Sequence, residues 1–263
     1  MKNILLAIIF VIALSSVEAT AQIFIPRPPV VNIPVVNPAA MQIRNQVFRN
    51  MINGAQKGGA KSARKYPSAA GAGDFTMFKP RQENYLPKLL AQAGKGNADE
   101  QRQTEQFFNS QIELYEYIAT DHGYPANDVA FALVCFIGHN YEFYYDLWDM
   151  ENYKNPWAKR ARNNAKQSMK VTPELDRAMY DQFKELLSAK TEFKKMTDKQ
   201  KQELTETLAI MHGIAYTAYN KSIEDEDEEL HQQARDLAKN NIEEVLGIPI
   251  NKIKFTLSGL EIQ

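Results

Sequence analysis

Residues 127–148 read NDVAFALVCFIGHNYEFYYDLW, and the stretch from Val129 to Ile137 within them contains no charged side chain. A helix capped by Asn127 or Asp128 and running to about Trp148 is apolar all round in its first turns, which marks it as the central, most buried helix of a helical domain. Four further helices are legible around it. Phe108, Ile112, Tyr115 and Ala119 recur at spacings of four, three and four, the stripe of an amphipathic helix over about Asp99–Thr120 that Gly123 and Pro125 end. Thr172-Pro173-Glu174 opens a helix with Leu175, Met179, Phe183 and Leu186 on one face. Thr197 to Gln200 has the form of a capping box ahead of Leu204, Leu208, Met211, Ala215 and Tyr219. The last helix, near Asp225–Leu246, carries Leu230, Ala234, Leu237, Asn241 and Val245 and stops at Gly247.

The ends of the domain are less regular. Phe75 to Pro80 and Tyr85-Leu86-Pro87 predict an apolar strap. Ile253 to Leu257 alternates apolar and polar before Ser258-Gly259, which fits either a short strand with a return or an extended tail. Asn155-Pro156 is a further cap, with a short basic helix expected behind it. The fold class is therefore all-α: a single bundle of about five helices over residues 74–263, with a short extended C-terminal tail.

Ahead of the domain lie two segments of different composition. Lys2, the apolar run Ile4–Leu14 and the small residues Ala19-Thr20-Ala21 have the layout of a secretory signal peptide over residues 1–21. That apolar run is too short to span a bilayer, and no transmembrane segment is expected after cleavage. Residues 22–73 form a Pro/Gly-rich arm: prolines from Pro26 to Pro38 favour an extended polyproline conformation, and Gly54, Gly58, Gly59, Gly71 and Gly73 give the composition of a linker. Localisation is thus expected to be periplasmic or secreted.

Charge and cysteine usage narrow the function. Lys plus Arg number 31 and Asp plus Glu 32, so no global field favours nucleic acid. The single Cys135 excludes an internal disulfide in a chain whose export would permit one. No GxSxG, HExxH or paired CxxC is present, and the glycine-rich segment from Gly54 to Ser62 misses the phosphate-loop spacing by one residue.

Four constellations remain. Cys135, His139 and Glu142 share a helix face at spacings of four and three, and His212 on another helix could complete a transition-metal site; packing of a small thiol and a core histidine is the competing reading. A Cys135–His139 nucleophilic pair is the third possibility, against which stands an apolar surrounding that raises a thiol pKa. Tyr141, Tyr144, Tyr145, Trp148 and Trp157 are candidates for a ligand groove, with burial at the end of a helix as the alternative. Lys159, Arg160, Arg162 and Lys166 are candidates for binding an anionic envelope component, unless they form a solvated face answered by the acidic run Glu224–Glu229.

The segment Asn127 to Phe131 leading to Asn140-Tyr141, the run Met196 to Gln200 leading to Glu206 and Leu208, and the stretch from Ala234 through Leu246-Gly247-Ile248-Pro249 to Leu260 resemble a family of exported bacterial proteins of unknown function. The likeness covers residues 74–263. It implies export and a helical domain, and it supplies no activity or catalytic residues. The leading expectation is a non-enzymatic binding or interaction module with a protein or envelope partner and no required cofactor. The alternative is an envelope enzyme or metal-binding protein using Cys135, His139, Glu142 and His212.

Overall fold

The computed structural model describes residues 74–93, 97–148 and 171–263, and every structural statement below refers to these. The signal peptide, the arm and the basic segment, including Trp157, Lys159, Arg160, Arg162 and Lys166, lie outside the described residues. Seven helices are present: α1 Leu86–Ala93, α2 Ala98–Asp121, α3 Val129–Tyr144, α4 Pro173–Ser188, α5 Thr191–Lys194, α6 Asp198–Glu224 and α7 Glu228–Leu246. A 3-10 turn, Ile250–Lys252, leads into the hairpin strands β1 Ile253–Thr256 and β2 Gly259–Ile262. The architecture is all-α with one small sheet.

Helix α3 is the hub. Every residue from Val129 to Phe143 is buried, because α6 and α7 cover one side of it and α4 another, while α2 packs chiefly on α6 and α1 on α2. Helix α6 is buried more broadly than its one-sided stripe suggests, with polar residues such as Gln202, Thr205, Glu206 and Asn220 inside. In α4 the buried set is Met179, Tyr180, Phe183 and Leu187, so the buried face is turned slightly from the one expected through Leu186.

Capping residues set most helix starts. Asp128 caps α3 by accepting from the Ala130 N–H, Thr172 accepts from Leu175 ahead of Pro173, and Asn97 and Thr197 each close a full capping box. Two helix ends differ from expectation. Helix α3 stops at Tyr144 rather than about Trp148, because Asp146 enters the left-handed region at φ 54° and the Leu147 N–H returns to Glu142 O at 2.8 Å. The acidic run Glu224–Glu229 does not simply open the last helix. Glu224 ends α6, Glu226 takes φ 54°, and Asp227 caps α7 through the Leu230 N–H.

The strap divides into two parts. Met77 pairs with Asp128 in an isolated antiparallel bridge, and Lys201 Nζ donates to Phe75 O at 2.6 Å. The second part is helical: Leu86–Ala93 is α1, and the buried Glu206 carboxylate accepts the backbone N–H groups of Tyr85 and Leu86 at 2.9 and 2.8 Å. An anion at that point satisfies amides that a helix start leaves unpaired. The tail forms the antiparallel hairpin, registered Ile253 to Ile262 and Thr256 to Gly259. Gln182 of α4 brackets Leu260, accepting its N–H at 2.8 Å and donating to its carbonyl at 3.0 Å, which holds β2 against the bundle.

Candidate metal centre

Helix α3 projects Cys135 and His139 from adjacent turns toward α6, where His212 sits opposite. Cys135 Sγ lies 3.7 Å from His139 Nδ1, and His139 Nδ1 lies 2.7 Å from His212 Nε2. One ligand-type atom from each of the three residues falls within 4.8 Å of the others, and all three residues are buried. Aromatic rings surround the cluster: Trp148 meets the His139 ring edge-on at 4.7 Å, and Phe143 stacks at 6.3 Å from His212.

Burial governs the protonation of this cluster. It pushes His212 down to about 3 and, with the neighbouring His212 adding to the effect, holds His139 well below the usual imidazole value. It also pushes the Cys135 thiol well above its usual value. Both rings are therefore neutral at physiological pH, and one nitrogen of the close pair donates its hydrogen to the other. His212 Nδ1 is buried and has no hydrogen-bond partner among the described residues. A buried orphan N–H costs more than a buried orphan lone pair, which favours the tautomer in which His212 Nε2–H donates to His139 Nδ1 and His212 Nδ1 offers a lone pair.

The distances can be compared with coordination geometry. Two imidazole nitrogens at 2.0–2.1 Å from one ion, separated by a tetrahedral angle, lie roughly 3.3 Å apart, and a nitrogen and a thiolate sulfur roughly 3.6 Å. The 3.7 Å separation of Cys135 and His139 already fits. The 2.7 Å separation of the two rings is a hydrogen bond, and an ion would have to widen it.

Glu142 does not join them. It is buried, and its Oε1 accepts the Val171 N–H at 3.1 Å, on the approach to α4. The Cys135–His139 pair is close enough to interact but lacks the means to form a nucleophile, since a fully buried thiol pushed up by desolvation stays protonated.

Of the aromatic candidates, Tyr141 is core, packed on Tyr145 and on Phe255 of the hairpin. Tyr144, Tyr145 and Trp148 are half-buried against the two core clusters, and Arg235 lies over the Tyr144 ring. They line a packed end of the bundle.

Two polar arrangements escaped the sequence reading. Asn140 and Asn241 form a fully buried link between α3 and α7 at 2.9 Å; the signal was Asn241, a polar residue in an otherwise apolar stripe. Ser222, His231 and Asp146 form a chain in which Ser222 Oγ meets His231 Nδ1 at 3.0 Å and His231 Nε2 meets Asp146 Oδ1 at 2.8 Å. The order imitates a hydrolase triad, but Ser222 is fully buried and its hydroxyl donates to Tyr219 O at 2.6 Å. A nucleophilic serine gives that hydrogen to the histidine. With Tyr219 Oη also donating to Asp146 at 3.0 Å, the network holds the end of α3 to α6 and α7.

Fold and cluster together define an all-α domain with a buried Cys–His–His centre between its two most buried helices. A family model described as a family of unknown function, DUF6683, matches residues 1–178 and 167–263, and the chain belongs to that family. Comparison with curated proteins gives no match, and neither does comparison with solved structures.

Proposed function

We propose that this chain is an exported helical protein that binds a transition-metal ion through Cys135, His139 and His212, and that it binds without turning over a substrate. The observation that carries the reading is the convergence of the three side chains, from two helices, on one buried point. Their chemistry supports it: neutral imidazoles and a cysteine sulfur suit zinc or copper, whereas calcium and magnesium prefer oxygen ligands. Export rests on the layout of residues 1–21, with the periplasm or the exterior as destination.

Thermal unfolding of the full chain tests the metal site. A ligand that binds only the folded state raises its stability by mass action, so Zn(II) or Cu(I) should raise Tm, and the double variant His139→Gln/His212→Gln should remove the rise. An unchanged Tm with each ion would refute the reading.

A second reading, an interaction module for a protein or envelope component, draws on the partial exposure of Tyr144, Tyr145 and Trp148 and on the arm at residues 22–73. It predicts that deleting residues 22–65 abolishes partner capture while leaving the melting temperature of the domain nearly unchanged. A large fall in Tm would make the arm part of the core.

A further inference from the structure

Resting on that reading, we infer that the ion is monovalent and soft, Cu(I) or a chemical equivalent such as Ag(I), held by Cys135 Sγ and one imidazole nitrogen each from His139 and His212 as a three-coordinate, electrically neutral centre. Three observations converge on this class.

The first is charge. The cluster supplies one group able to carry a negative charge, Cys135 as thiolate, because both histidines are neutral ligands. A monovalent ion makes the buried centre neutral, whereas a divalent ion leaves a net positive charge where Phe143 and Trp148 form the walls, and an uncompensated buried charge is costly. Glu142 is not one of the grouped ligands, and its Oε1 accepts the Val171 N–H.

The second is ligand number. Among the described residues the grouped ligands are three, whereas zinc in structural sites takes four. A thiolate suits Cu(I) and zinc alike, but a trigonal set of one cysteine and two histidines is a copper geometry, and the neutral charge balance then favours Cu(I) over Cu(II).

The third is distance. Three-coordinate geometry places two nitrogens roughly 3.5 Å apart around an ion about 2.0 Å away. Opening the 2.7 Å contact between the rings by less than an ångström admits it, the Cys135–His139 separation of 3.7 Å needs almost no change, and the Cys135–His212 pair, within 4.8 Å, closes by about an ångström at most. Binding releases one proton, from Cys135, as the sulfur–hydrogen bond gives way to a sulfur–metal bond. His139 keeps its hydrogen on Nε2, and the His212 hydrogen moves from Nε2 to Nδ1, which leaves His139 Nδ1 and His212 Nε2 free to face the ion.

The test uses the full chain under anaerobic, reducing conditions. Cu(I), supplied as its acetonitrile complex, competes against bicinchoninate, and Zn(II) competes in parallel against a chromophoric chelator. The expected result is one copper retained per chain, silent in electron paramagnetic resonance, with one sulfur and two nitrogens in its X-ray absorption spectrum and no zinc retained. Cys135→Ser should lose the copper, and His122→Gln, outside the cluster, should keep it. Should Cys135→Ser fail to fold, the absorption spectrum of the unaltered chain decides alone. Zinc retained through the same three residues with copper released would overturn this inference and leave the metal-binding reading standing. Retention of neither ion would overturn both. A Cu(II) resonance signal, or a fourth ligand, would overturn the neutral three-coordinate centre.

Discussion

Cys135 and His139 stand one turn apart on α3, and their burial decides what they can do more than their spacing does. Spacing placed Glu142 on the same face, yet a shared face leaves about 60° between His139 and Glu142 and a rise of about 4.5 Å along the axis. That difference lets α6 meet the histidine while the start of α4 meets the carboxylate. His212 was legible only as a second histidine on a facing helix, and the 2.7 Å contact depends on how α3 and α6 cross. Because burial pushes the Cys135 thiol up, the native metal-free chain should resist thiol reagents and label at a measurable rate only in denaturant; rapid labelling of the folded protein would contradict the burial. A second residue-scale prediction concerns His122, whose Nδ1 lies 3.6 Å from Asp176 Oδ2. The Asp176 carboxylate outweighs partial burial and raises the histidine above its usual 6.5. A raised folded value gives stability that is complete below the unfolded pKa and is lost as pH rises through the folded value. The pair is partly exposed, so solvent screening limits the effect to a few tenths of a kcal/mol. Denaturant midpoints for the native chain and His122→Gln should therefore differ at about pH 5 and converge by about pH 8.

At the scale of elements, starts were easier to read than ends. Asn97, Asp128, Thr172 and Thr197 announce helices through side chains that accept from the first turn, and the signal is local. The end of α3 is set by tertiary contacts: Asp146 accepts from Tyr219 Oη and faces His231 and Arg235, and these compensate a left-handed backbone that a glycine would adopt more readily. The strap expected through Tyr85-Leu86-Pro87 gives no sign of helix α1, whose eight residues are short for an independent helix; it forms because Glu206, far along the chain, accepts its first amides. Glu206→Ala should cost about 2–3 kcal/mol, since it strands buried amides, and hydrogen exchange should accelerate first across Leu86–Ala93. Gly213 carries a different constraint. A methyl group there would lie 2.7 Å from Gln111 Cβ on α2, so Gly213→Ala should destabilise by about 1–3 kcal/mol through forced separation of α2 and α6, measured as a shift in urea midpoint. No change would mean that the two helices part freely.

The whole molecule is a bundle built on α3, and an apolar run with no polar face foretold that role because such a helix must be covered on all sides. The C-terminal hairpin was undecided from sequence since each strand has only four residues; Gln182 settles it by bracketing Leu260. Among the described residues no helix is long and apolar enough to cross a membrane. If residues 1–21 direct export, the protein recovered from the exporting host should begin at Gln22, which intact mass would establish; a chain still beginning at Met1 would contradict it. The central claim is the metal site, and the most direct measurement is the elemental content of the full chain purified without chelator and without metal-affinity resin, set beside that of Cys135→Ser and His212→Gln. The account predicts one transition-metal ion per chain that both substitutions remove; a metal-free native chain that also fails to take up Cu(I) or Zn(II) would contradict it, and Cys135, His139 and His212 would then be core packing.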